Sequence, residues 1–128
     1  MTHQNLNIIA PSDCNNAPKK EFIKDALVAF ATSDVDFLKT ATKENVRWEI
    51  VGTDSLQSQS ELIDHVTQHP MDINELTIDS IITHGKTGAA KGTYQTTEGD
   101  LYHFCHFYHF VSAGKKVIQE ITSYVIHQ

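Results

Sequence analysis

The second half of the chain limits the fold more than any other feature. From Met71 onward the character is extended, and the turn triplets His84-Gly85-Lys86, Glu98-Gly99-Asp100 and Ala113-Gly114-Lys115 divide it into four strand-like segments. Leu76, Ile78 and Ile82 share one face of the first segment. Residues 89–97 form a second that Gly92 weakens, residues 101–111 form the most strongly patterned strand, and residues 117–127 form the last. Long strands joined by short turns make an antiparallel meander.

Three amphipathic segments stand ahead of this sheet. After Pro18, which suits a first helical turn, Phe22, Ile23, Ala26, Leu27 and Phe30 recur at helical spacing. Ser33-Asp34-Val35-Asp36 is a capping-box variant before Phe37, Leu38 and Ala41. Ser58-Gln59-Ser60-Glu61 is a full capping box before Leu62, Ile63 and Val66, with Pro70 as the stop. Between these helices Val46-Arg47-Trp48-Glu49-Ile50-Val51 alternates as a strand, ended by Gly52-Thr53-Asp54. The order predicts an α+β fold, a curved sheet with helices on one face. Residues 1–18, rich in Asn, Gln, Ser and Pro, read as a flexible N-terminal tail, with a strand-like arm around Leu6, Ile8 and Ile9 as the alternative. Residues 19–128 read as one domain.

Composition narrows the function. A length of 128 residues suits a single core, and 40% hydrophobic content excludes wholesale disorder. No run approaches the roughly 18 apolar residues of a membrane span, and the N-terminus shows no basic segment followed by an apolar run, so a cytoplasmic protein without a membrane partner is expected. A net charge of -6, with Arg47 the only arginine, disfavours nucleic acid. Cys14 and Cys105 form no metal-finger spacing and read as free thiols. His103, His106 and His109 invite a metal reading that strand geometry opposes: the outer two lie roughly 20 Å apart and the middle one points to the other face. No metal and no cofactor are expected.

In order and spacing the chain resembles the nuclear-transport-factor-2-like superfamily in its SnoaL-like branch. The residues that carry the likeness are the acidic capped second helix, the strand through Trp48 and Gly52, the helix opened by Glu61-Leu62-Ile63, and the run Gly99-Asp100-Leu101-Tyr102. Gly114-Lys115 then leads to Ile118-Gln119-Glu120-Ile121-Thr122-Ser123-Tyr124, similar to the closing "G-K-I-x-E-x-x-x-Y" strand. The resemblance implies a cystatin-like cone roll: a mixed, mostly antiparallel curved sheet wrapped around three N-terminal helices, with a deep apolar pocket at the wide end. It also implies a homodimer paired through the convex sheet face. Members include isomerases, dehydratases, epoxide hydrolases, polyketide cyclases and scaffolds without catalysis, so fold alone does not choose.

The same resemblance implies which residues face the cone. On the closing strand it turns Glu120, Thr122, Tyr124 and Ile126 inward, and on the strand before it Phe104, His106, Tyr108 and Phe110. Trp48 and Ile50 face the same cavity, and Phe30, Phe37 and Leu38 are placed to line it from the helices. His106 is then the candidate for proton chemistry, with Glu120 and Tyr108 as catalytic companions and a buried histidine hydrogen-bonded to Thr122 or a backbone carbonyl as the plain alternative. Where cyclase- and hydrolase-type relatives carry an acid, this chain has Ile126. Where the epoxide-hydrolase type has Arg-x-Asp and Asn, it has Ala89, Lys91 and Ile50. The leading expectation is a SnoaL-like protein that binds a small, largely apolar molecule. The alternatives are a cofactor-independent lyase or isomerase with His106 as general base and an interaction scaffold. The scaffold would use Phe107, Val117, Ile121 and Val125 as its outward surface.

Overall fold

The structure, a computed structural model, describes residues 6–12 and 17–128. The flexible tail expected over residues 1–18 lies in part outside these residues, and the free thiol expected at Cys14 lies wholly outside them. Helix α1 (Pro18–Thr32) opens on its proline and closes on Ser33, whose φ of 55° makes the left-handed turn that stops it. The Asp34 side chain accepts from Phe37 N–H and starts α2 (Val35–Ala41). Ser58 Oγ accepts from Glu61 N–H at the head of α3 (Gln59–Gln68). Glu61 Oε1 reaches back one residue beyond the usual box, to Gln57 N–H.

Among the described residues seven strands form one mixed sheet: β1 (Asn7–Ile9), β2 (Thr42–Ile50), β3 (Asp54–Leu56), β4 (Ile73–His84), β5 (Thr87–Thr96), β6 (Leu101–Phe110) and β7 (Ile118–His127). Their spatial order is β1-β4-β5-β6-β7-β2-β3. Strands β1 and β2 run parallel to β4 and β7, and every other pair is antiparallel. The meander expected from Met71 onward is β4 to β7. Two short strands extend it: β3, which the sequence reading took as the end of β2, and β1, the strand-like arm within the segment read as tail. Among the described residues no helix is long and apolar enough to cross a membrane.

Leu76, Ile78, Ile81, Phe104, Tyr108, Phe110, Ile118 and Ile121 on one sheet face pack against Ile23, Leu27, Leu38, Leu62 and Val66 of the helices. At Gly92 a Cβ would lie 2.0 Å from the Thr77 carbonyl oxygen, so only glycine allows β5 to come this close to β4.

Register shifts interrupt β2, β4 and β7, and those in β4 and β7 change which expected residues face the core. In β4 the register with β5 shifts between Ile78 and Ser80, so the inward row passes from Ile78 to Ile81 and Ile82 is left 63% exposed. The expectation that Ile82 shares a face with Leu76 and Ile78 is corrected by this one extra residue. In β7 the register with β6 shifts between His109 and Phe110: Ile118 and Ile121 both face the core, with Gln119 as the added residue. From there the odd-numbered residues of β7 point inward, the reverse of the phase expected.

Candidate functional site

A cavity of about 420 Å³ opens between α1, α3 and the inner faces of β2, β5, β6 and β7. Helix α1 contributes Leu27 and Phe30. Helix α3 contributes His65 and Val66, with His69 at its C-cap. The sheet contributes Trp48 and Ile50 from β2, Tyr94 from β5, Tyr102, His106 and Tyr108 from β6, and Ile121, Ser123, Val125 and His127 from β7. Thr53 and Met71 complete the rim. No carboxylate, lysine or arginine is among these residues.

Two files of rings form the walls. Along the sheet, Tyr94 stacks on Tyr102 with centroids 5.1 Å apart, Phe104 stacks on His106 at 5.0 Å, and Tyr108 stands edge-on to His106 at 6.2 Å. Opposite, Phe30 meets Trp48 at 5.0 Å, Trp48 meets His65 edge-on at 5.3 Å, and His65 lies 4.8 Å from His69.

Ser123 joins the two files. It is 1% exposed, its Oγ accepts from Trp48 Nε1 at 2.8 Å, and it lies 2.7 Å from His106 Nδ1. Burial pushes the His106 imidazole down to about 4, so it is neutral at physiological pH. Burial raises the Tyr94 hydroxyl to about 12, with Tyr102 adding to the effect, and also raises Tyr108, with Cys105 adding. These phenols stay protonated. Nearer the mouth, burial first and His69 second lower His65, against the opposing pull of Asp54, whose Oδ2 is 4.0 Å from His65 Nδ1. His127 stacks on Tyr102 at 4.6 Å and places Nε2 3.3 Å from Asp100 Oδ1.

Of the residues expected at the site, the structure brings Phe30, Trp48, Ile50, His106 and Tyr108 to the cavity wall. Phe104, Phe37 and Leu38 lie behind it: Phe104 and Leu38 are buried in the core, and Phe37 packs on Phe22. Glu120, Thr122, Tyr124 and Ile126 are corrected. The β7 bulge turns them to the convex face, where Glu120 pairs with Arg47 at 3.4 Å instead of reaching His106. Thr122 sits opposite Phe107, and the buried partner of His106 is Ser123. Tyr124 and Ile126 are 45% and 67% exposed. Ile121 and Val125, expected on the outward surface, line the cavity. His103 and His109 are exposed on the convex side of β6, and His103 bonds Gln128.

Several lining residues were missed, and some carried a signal. Tyr102 shares the parity of His106 and lies opposite Tyr94. Leu62, Val66 and His69 fall on one helical face, with His65 beside them. For Ser123, Val125 and His127 a strand read by alternation carries no signal, because the bulge lies between them and Ile118.

No family model matches the chain, and no curated protein matches it. Solved structures do. A ketosteroid isomerase-like protein from Kribbella flavida superposes with a TM-score of 0.73 at 13% identity, over 86% of this chain and 78% of that one. A nuclear-transport-factor-2-like protein of unknown function from Cytophaga hutchinsonii gives 0.65 at 21% identity over 83% and 97%. A protein of the SnoaL-like family from Agrobacterium tumefaciens gives 0.69 at 11% identity over 85% and 98%. At such identities the likeness establishes the fold: the chain has the nuclear-transport-factor-2-like cone, as the order of its elements implied.

Proposed function

We propose that this cone binds one small, largely apolar, uncharged molecule. The observation that carries the reading is the cavity itself: some 420 Å³ walled by aromatic and aliphatic side chains, with the neutral His106 in its wall and no carboxylate, lysine or arginine to pair with an ion. Structural neighbours that bear isomerase names agree with a pocket for a small organic molecule. Glu120 is withdrawn from any acid-base pair by its position on the other face, so turnover would rest on His106 and Tyr108 without a carboxylate.

The convex face supports a second element, a homodimer. Ile82, Phe107, Tyr124 and Ile126 are exposed there, and the Phe107 and Tyr124 rings meet edge-on at 6.4 Å. A second copy of the same sheet would cover this patch. The unpaired thiol of Cys105 agrees with a cytoplasmic location.

The test is titration with the neutral fluorophore N-phenyl-1-naphthylamine. Saturable binding of one molecule per chain, abolished by Ile121→Trp and retained by Phe107→Asp, is expected. Signal that survives Ile121→Trp and disappears with Phe107→Asp would assign the probe to the convex patch and reject the cavity.

A further inference from the structure

The hydrogen bonds of Ser123 decide which nitrogen of His106 carries the proton. Its Oγ has two side-chain neighbours, Trp48 Nε1 and His106 Nδ1. An indole nitrogen can only donate, so Trp48 occupies one lone pair of the hydroxyl. If Nδ1 were protonated it would take the other lone pair, and the hydroxyl hydrogen would be left without a side-chain acceptor in a site 1% exposed. If the hydroxyl donates to Nδ1, all three groups are satisfied and the proton of the neutral ring lies on Nε2.

We propose that Trp48 and Ser123 hold His106 in its Nε2–H form, so that it offers the cavity a hydrogen-bond donor rather than a base, and that the bound molecule carries an accepting oxygen of ketone type. This rests on the ligand-binding reading and names the chemistry that reading leaves open. His106 Nε2 has no hydrogen-bond partner among the described residues, and no fully buried side-chain nitrogen or oxygen among them lacks one, so Nε2 reaches open cavity surface. The Tyr108 hydroxyl likewise reaches open cavity surface and is a second donor on the wall. The one lone pair of the ring points at Ser123, which removes His106 from the role of general base toward a ligand. A cation would meet two N–H and O–H dipoles and no carboxylate, whereas a carbonyl oxygen would meet matched donors. Trp48 and Ser123 act through the imidazole and are positioning residues.

Two measurements test this. In the ligand-free protein at pH 7, with histidines labelled with 15N and the His106 ring assigned through its correlations to its own sequentially assigned backbone, Nδ1 should show the shift of an unprotonated nitrogen and Nε2 that of a protonated one. The opposite pattern, or the averaged shifts of a freely exchanging ring, overturns the proposal whether or not any variant folds. Ser123→Ala should move the pattern toward that average. The second measurement compares 1-tetralone with its hydrocarbon, tetralin. His106→Phe should lower the affinity for the ketone relative to the hydrocarbon by about fivefold or more, the worth of one hydrogen bond. An unchanged ratio overturns this inference and leaves the cavity reading standing. Failure of both compounds and of N-phenyl-1-naphthylamine to bind overturns both.

Discussion

The two faces of strands β6 and β7 are built from similar residues and have opposite chemistry. On the concave side His106, Tyr108, Ile121 and Ser123 are withdrawn from bulk water, and each polar atom pairs within the protein or opens on the cavity. On the convex side Phe107 and Tyr124 stand exposed, framed by the ion pairs Arg47 with Glu120 and Lys91 with Asp79. The contrast teaches that a histidine's chemistry on this sheet follows its face and not its neighbours in sequence. His106 is a neutral, half-buried ring three residues from His103 and from His109, both of which meet solvent.

The largest expected effect tests the assignment of faces on β7. Ile121→Ala should cost about 2–4 kcal/mol in urea unfolding, as a buried large-to-small change does, while Tyr124→Ala in the monomer should cost well under about 1 kcal/mol. The reverse ranking would restore the even-numbered residues to the core and remove the bulge.

Next in size is the pH dependence. His106 has a folded-state value of about 4, below the roughly 6.5 of an unfolded histidine, so between these limits the unfolded chain binds more protons. Its contribution is present above about pH 6.5 and is lost as pH falls toward 4, by on the order of 2–3 kcal/mol. His106→Phe should flatten this window in unfolding curves, and His103→Gln should not. Equal slopes in wild type and His106→Phe would show that the ring is not held neutral by burial.

A smaller free-energy change with a clear readout concerns association. If the proposed dimer forms through this face, wild type should sediment as a dimer at tens of micromolar and Phe107→Asp as a monomer whose melting temperature stays within a few degrees. A wild-type monomer at that concentration would remove the role given to the convex face. The smallest effect is expected from Glu120→Gln. An exposed ion pair contributes about 0–1 kcal/mol, so neither stability nor fluorophore binding should move appreciably. Loss of binding would return Glu120 to the cavity.

Much of this architecture was legible before any coordinate. The caps at Asp34 and Ser58, the glycine turns and the alternation of residues 101–110 are local properties, written in hydrogen-bonding side chains and in the period of apolar residues. They sufficed for three helices and a meander, while the choice of His106 and Tyr108 as inward came from the resemblance to the nuclear-transport-factor-2-like cone. The parallel edge strand β1 was not legible as more than an alternative, because three exposed residues owe their conformation to β4.

The sequence by itself determined the order of elements, where each helix starts, and which residues of β6 share a face, because those follow from interactions within a few residues of chain; which of the two faces is inward was implied by the family resemblance. Only the tertiary structure decided which face of β7 closes the cavity, that Ser123 and not Thr122 meets His106, and that Ile81 replaces Ile82 in the core. The physical reason is the bulge. It exists only in the pairing of two strands, where one residue more on one side than on the other reverses the alternation of all that follow, and nothing in the single strand's own pattern records it.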